Sequence, residues 1–353
     1  MPITKLPTGQ QLARTRWGTQ ESGAAFDRKK SPFLTEQARD FIAQQAMCVM
    51  VGLDTHSQLD GVLLTGQPGF IEVAGPSTCL LPLECADRAA SLLRRLQTVL
   101  ASRQKAWVSL FLICHSTRQR LCIHGTVEAL FHAASPLPSS YLSENRIRLL
   151  IRVQEAFFHC PKYIRTQVPG LTGATSLSSQ QQDSWRPLRE QHQQGYSEEL
   201  CRFLFQQVFC FLCTVNRDGR CAVNHRGGRR GFLVPYPPGK GAPAGIVLLP
   251  DYAGNGAFEA IGNIFETQQA SLIVPDYTAQ LAVCLSGAAC VVEPKDLRQE
   301  VAERCAGAER VVALAVQRVQ VQSGGWSPAP AYEHIYAEAP GSPSPALSLC
   351  PVF

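Results

Sequence analysis

The chain repeats itself. The segment from Phe41 to Glu72 aligns without a gap with the segment from Phe203 to Val234, at an offset of 162 residues. Phe41 meets Phe203, Gln44 and Gln45 meet Gln206 and Gln207, and Cys48 meets Cys210. Further on, Gly66 meets Gly228, Gly69 meets Gly231 and Phe70 meets Phe232. The same offset returns at Ser109-Leu110 with Ser271-Leu272, Cys122 with Cys284, and Gly125 with Gly287. Two copies do not make a solenoid, so the repeat implies two similar domains or two halves packed as a pseudo-dimer. A length of 353 residues suits two domains, and a hydrophobic content of 45% gives each a core to bury.

Each copy has one layout. A helix comes first: Leu34, Ala38, Phe41, Ile42 and Ala46 form one apolar face, capped by Thr35. An apolar strand follows, Met47 to Leu53 or Val208 to Val215, then a turn. In the second copy that turn is Asn216-Arg217-Asp218-Gly219, whose Asp-Gly suits a tight hairpin. The next strand ends in a glycine bend, Thr65 to Gly69 or Gly227 to Gly231. Another strand, a helix and a hairpin (Val108 to Val127, or Ser271 to Val292) complete the copy. Short, closely spaced strands with few helices predict a mainly β fold with flanking helices (α+β), built as two small antiparallel barrels.

Between the copies, Ile147, Leu149, Ile151 and Val153 share one face, while Arg146, Arg148 and Arg152 share the other. That is a half-buried strand. The EAFFHCPKYIR run after it reads as helical on both sides of Pro161. The divisions expected are an N-terminal extension over 1–34, a first barrel over 35–168, and a linker over 169–196. A second barrel over 197–322 and a Pro/Ser/Gly-rich tail over 323–353 follow.

Fourteen cysteines sit mostly inside apolar runs and read as reduced core thiols. Cys210 and Cys213 have CxxC spacing, but on a strand they face opposite sides. The sequence opens without an apolar leader, has no run long enough to span a bilayer, and carries a scattered net charge of +5. These features point to a cytoplasmic protein with neither a nucleic-acid nor a membrane partner. Cys350-Pro351-Val352-Phe353 has the spacing of a prenylation box, without the polybasic stretch that usually precedes one. No metal-ligating motif is read.

Candidate chemistry concentrates in the second copy. In VNHRGGRRGF, His225 and Arg226 precede Gly227 and Gly228, and a glycine bend lets backbone amides approach an anion beside fork-shaped donors. The matching residues of the first copy are Leu63 and Leu64, so the polar pair is particular to one copy. In PDYAGNGAFEAIGN, Asn255 lies near a predicted helix N-terminus, where amides attract phosphate, or where Asn255 is simply a cap. Phe157 to Tyr163 clusters aromatics with Lys162, which suits either a planar ligand or a core plug. Tyr252, Phe258 and Tyr277 fit an aromatic pocket and a core equally well.

Three motifs, HRGG-x-x-GF, PDY-x-GN-x-x-F-x-x-x-GNI and CPKYI, together resemble the pyridoxamine 5′-phosphate oxidase-like superfamily of flavin-binding split barrels. The closest likeness is to its tandem, two-barrel branch, through the bend Leu63 to Phe70. The resemblance covers roughly residues 35 to 168 and 197 to 293. It implies two tandem split barrels packed as a pseudo-dimer, with FMN at their seam, in a monomer or a homodimer. It also implies phosphate contacts from Arg226, Gly227, Gly228 and Asn255, with Asn263, Lys162 and Tyr163 completing the cofactor site. His225 then serves as general acid or as a hydrogen-bond partner of flavin or substrate. Gly254-Asn255-Gly256 stands where the true oxidases carry a Ser-Arg-Lys phosphate clamp, so vitamin B6 oxidation is not expected. The resemblance suggests an FMN-dependent oxidoreductase acting on a small organic metabolite. The alternatives are a flavin-free enzyme doing acid–base chemistry and a non-catalytic ligand-binding protein.

Overall fold

In the computed structural model, residues 7–83, 90–132, 147–166, 168, 196–238 and 245–323 are described. The linker, apart from its last residue, and the tail beyond 323, with Cys350, lie outside them. Two helices open the chain, α1 (Gly9–Arg16) and α2 (Gln20–Asp27). The first copy then runs α3 (Glu36–Ala43), β1 (Met47–Leu53), β2 (Leu59–Thr65), β3 (Glu72–Gly75), β4 (Thr78–Leu83), α4 (Ala90–Ala101), β5 (Ala106–Cys114), β6 (Gln119–His132) and β7 (Ile147–Phe158). The second runs α5 (Glu198–Gln206), β8 (Phe209–Val215), β9 (Cys221–Gly227), β10 (Val234–Tyr236), β11 (Ile246–Asp251), α6 (Glu259–Thr267), β12 (Gln269–Asp276) and β13 (Leu281–Val292). A 3-10 turn (Pro294–Asp296), α7 (Gln299–Arg304) and β14 (Arg310–Ser323) close it. No described helix is long and apolar enough to cross a membrane.

The two antiparallel sheets have one topology. Their orders are β2-β1-β5-β6-β7-β4-β3 and β9-β8-β12-β13-β14-β11-β10, so each strand occupies the place of its counterpart. Even an irregularity repeats: the ladder slips at His124/Gly125 between β6 and β7, and at Ser286/Gly287 between β13 and β14. These are two tandem split barrels, as the resemblance implies.

The apolar β1 and β8 are buried on both faces, which explains why neither alternates. Cys48 and Met50 enter the first barrel's interior, while Met47, Val49 and Val51 enter a separate core shared with Phe209, Phe211 and Cys213. Cys210 lies in the second barrel's interior, so it and Cys213 do face opposite sides. The shared core is the seam that makes the barrels a pseudo-dimer. All twelve described cysteines are free thiols.

The helix over Glu36–Ala43 forms as expected, with Thr35 Oγ1 accepting from the Ala38 amide at 3.2 Å. One local reading is corrected. Glu155 to Phe158 is strand rather than helix, because β7 continues to pair with β6 through Leu121–Phe158. The strand read between the copies is also the closing strand of the first barrel, and its counterpart is β14. The extension is structured: Trp17, just after α1, packs against Phe258 and Phe265. A bridge at Ser31–Ala156 then leads the chain into the first barrel.

Candidate functional site

The pseudo-twofold arrangement creates two equivalent seam positions, and they differ. At one, β13 carries Ala282 opposite Gln322 of β14. Gln322 reaches across to the first barrel, donating to Gly61 O at 2.9 Å and accepting from the Leu63 amide at 3.2 Å. Arg318 adds bonds to Asp54 at 2.8 Å and to Leu59 O at 3.0 Å. That seam is laced shut.

At the other position, Arg120 stands where Ala282 does, with His159 in place of Gln322. Here a cleft opens between the barrels. The first barrel contributes Arg120, His159, Cys160 and Tyr163; the second contributes β9, the end of β11 and the turn before α6. Its accessible volume is about 100 Å³. Pockets that engulf a drug-sized ligand run to roughly 300–1,000 Å³, so this cleft is small.

Strand β9 alternates as it enters the cleft. His225 is buried and stacks on Phe209, with ring centroids 5.6 Å apart and planes 15° apart. Arg120 Nη1 lies 3.3 Å from His225 Nδ1. A guanidinium can only donate, so Nδ1 accepts and a neutral ring carries its proton on Nε2. Burial first, then the charges of Arg120, His115 and Arg226, hold the His225 pKa well below the usual histidine value. Of the two roles read for His225, an imidazolium acid is therefore unavailable near neutral pH, while Nε2–H remains a hydrogen-bond donor.

Arg226 lines the cleft, but it is not the free clamp the sequence suggests. Its Nη1 is paired with Asp251, whose other oxygen accepts from Arg310 Nε at 2.8 Å. Gly227 must be glycine, since a Cβ there meets the Tyr163 carbonyl. The Gly254-Asn255-Gly256 turn closes one end. Asn255 Oδ1 accepts from the Ala257 amide at 3.1 Å, and Gly256 has φ +71° with the extension's Thr19 and Ser22 against it. The residue at the N-cap of α6 is Phe258, so Asn255 belongs to the turn rather than capping the helix. Tyr163 and Tyr252 face each other with ring centroids 5.8 Å apart, and the Tyr163 hydroxyl donates to Ala253 O at 3.0 Å.

Three predicted residues lie elsewhere. Gly228 is outside the lining, its amide bonded to Val208 O at 2.9 Å. Asn263 is buried within α6, where its side chain donates to Thr214 Oγ1 at 3.1 Å and ties the helix to β8. Lys162 is exposed on the loop after β7 and does not line the cleft. Tyr252 and Phe258 line it, whereas Tyr277 is a core residue.

Sequence reasoning missed Arg120, His159, Asp251, Glu259 and Arg310. The signal for Arg120 was present, because it breaks the repeat by matching Ala282. Burial, with Arg120 nearby, lowers the His159 pKa to about 3. Burial opposes ionisation of Glu259, but His124, Lys30 and His159 outweigh it and hold its carboxyl far below the usual range.

No family model and no curated protein sequence matches the chain. Solved structures do. HupZ of Group A Streptococcus is 14% identical, with 37% of this chain and 98% of HupZ covered and a TM-score of 0.29. A Clostridium acetobutylicum protein of the pyridoxinephosphate oxidase family, related to general stress protein 26, is 8% identical, with coverage of 37% and 88% and a TM-score of 0.26. HutZ, the heme storage protein from Vibrio cholerae, is 17% identical, with coverage of 37% and 93% and a TM-score of 0.23. Each match spans about the length of one barrel. The chain is a tandem of two split barrels, meeting across one bridged seam and one cleft.

Proposed function

We propose that the cleft binds flavin mononucleotide and that the chain is a flavin-dependent oxidoreductase acting on a small organic metabolite. One observation carries this reading. Arg120 Nε, Arg226 Nε, Asn224 Nδ2 and His225 Nε2 all belong to residues lining the cleft, are buried, and have no hydrogen-bond partner among the described residues. Buried donors left unpaired are costly, so their convergence in one cleft suits an acceptor-rich anion. Charge agrees. Three guanidinium groups, of Arg120, Arg226 and Arg310, line the cleft against two carboxylates, of Asp251 and Glu259.

In this reading Arg120, Arg226 and the Gly254–Gly256 turn hold the phosphate, and Tyr163 and Tyr252 border the ring. Bound flavin supplies hydride or electron transfer. The chain's own residues bind and orient: His225 donates through Nε2, and Asp251 fixes two guanidinium groups in register. One chain supplies both walls, so the site works in a monomer. A second reading, a flavin-free site for a small anionic metabolite, is favoured by the small cleft volume of about 100 Å³. Coordination of a haem iron by His225 is disfavoured, since Nε2 carries the proton.

Absorption spectra of the purified protein, before and after incubation with FMN, separate these readings. Bound flavin bands that are lost in an Arg120→Met, Arg226→Ala double variant support the flavin enzyme. Absence of FMN affinity in the wild type moves the assignment to the flavin-free site. A Soret band on adding haemin, without flavin binding, overturns both.

A further inference from the structure

Beside the cleft, three side chains from three elements converge. His124 on β6 and Glu155 on β7 are cross-strand partners at the bulge, and Glu259 begins α6 of the other barrel. Their ligand atoms all lie within 4.8 Å of one another. His124 is 6% exposed, and its Nδ1 has no hydrogen-bond partner among the described residues. Its Nε2 lies 3.3 Å from Glu259 Oε1, and Glu259 Oε2 also lacks a partner. A ring nitrogen and a carboxylate oxygen buried without hydrogen bonds are unfavourable unless something else engages them.

The charges are unbalanced as well. Lys30 Nζ lies 3.0 Å from Glu155 Oε2 and 3.7 Å from Glu259 Oε1, so one ammonium serves two carboxylates. Lys30 arrives on the N-terminal extension, and its ammonium also lies 5.0 Å from the centre of the Phe157 ring. We propose that His124, Glu155 and Glu259 form a divalent-metal site joining the two barrels, with Lys30 competing for the same carboxylates. One imidazole and two carboxylates suit a hard-to-borderline ion such as Mn²⁺, Fe²⁺ or Zn²⁺. The site needs no flavin, and it shares only Glu259 with the cleft lining.

The test uses Mn²⁺, because the free cysteines prefer softer ions. The full chain is stripped with chelator and titrated with Mn²⁺, and bound metal is followed by electron paramagnetic resonance. The wild type is expected to hold a single ion per chain. Glu155→Gln is expected to weaken binding by on the order of a hundredfold, with its fold checked by circular dichroism. Lys30→Met removes the competing charge and is expected to tighten binding by on the order of tenfold. This opposite-sign variant keeps the test valid if Glu155→Gln does not fold. If wild type and Lys30→Met bind no Mn²⁺, or if binding is indifferent to both substitutions, the cluster is an ion-pair network with Lys30 as its resident cation and the metal site is overturned.

Discussion

Arg120 of the first barrel and His225 of the second meet across the seam, guanidinium to imidazole, with 3.3 Å between Nη1 and Nδ1. The same guanidinium reaches Cys160 Sγ at 3.7 Å, and no carboxylate pairs with it among the described residues. A buried cation without an anion is expensive unless a ligand supplies one. The pair therefore joins the barrels and at the same time leaves the cleft short of negative charge.

Arg120→Met is expected to weaken binding of the anionic ligand by roughly ten- to a hundredfold, since a hydrogen bond to a charged group is worth about 1.5–3 kcal/mol. Arg120→Lys is expected to recover only part of the loss, because a point charge does not reproduce the planar fork. Titration of FMN fluorescence measures both. Wild-type affinity in Arg120→Met removes this residue from the site.

Acid is expected to destabilise the protein through its buried histidines. Burial lowers His115 to about 4, and burial with Arg120 lowers His159 to about 3. Both stay neutral when folded and take up protons when unfolded, near pH 6.5. Their contribution is full above about pH 6.5 and is lost as pH falls toward 4 and then 3. Urea midpoints from pH 8 to pH 4 should drop, and His115→Phe should flatten part of that slope. An unchanged slope places the acid sensitivity in other groups.

The extension supports the cleft from behind, and Trp17 is its anchor. The Trp17 ring lies 5.4 Å from Phe258 and 4.9 Å from the Arg310 guanidinium, and both of those residues line the cleft. Trp17→Ala is expected to cost about 2 kcal/mol, below the full cost of removing a buried aromatic because the ring is half-buried. It is also expected to weaken ligand binding, since Arg310 and Phe258 lose their backing. Denaturant unfolding and an FMN titration test the two effects separately. A change in stability alone confines the extension to a structural part.

Much of this architecture was legible because the repeat aligns residue for residue. The offset between Phe41 and Phe203 carries over to paired strands: β1, β2 and β3 begin 162 residues before β8, β9 and β10. The alternation of Ile147 to Val153 marked β7, since one of its faces is in water. What escaped was long-range. Glu155 to Phe158 looked helical because its aromatics do not alternate, yet pairing with β6 decides its conformation. The partner of Arg226, Asp251, lies 25 residues away and left no local sign, and His159 gave none that it faces Arg120 and His225. Seam residues are set by how two barrels pack, which no window of sequence contains.

The bridged seam gives a prediction of the opposite pH sense. Asp60 is 5% exposed, and Arg318 near it already serves Asp54 at 2.8 Å. Burial, reinforced by Asp54 and only partly offset by Arg318, raises the Asp60 pKa to about 6. The folded state thus binds this proton more tightly than the unfolded chain does, whose carboxyl titrates near 4. The stability gained is full below about pH 4 and is lost as pH rises through about 6. Above that range the buried anion costs about 2–3 kcal/mol, at 1.36 kcal/mol per unit. Asp60→Asn, neutral throughout, should match the wild type at pH 4 and exceed it at pH 8 by up to that amount. Urea unfolding at the two pH values decides the matter: an equal effect at both means that Asp60 is ionised in the fold across the whole range, with Arg318 as its counter-ion.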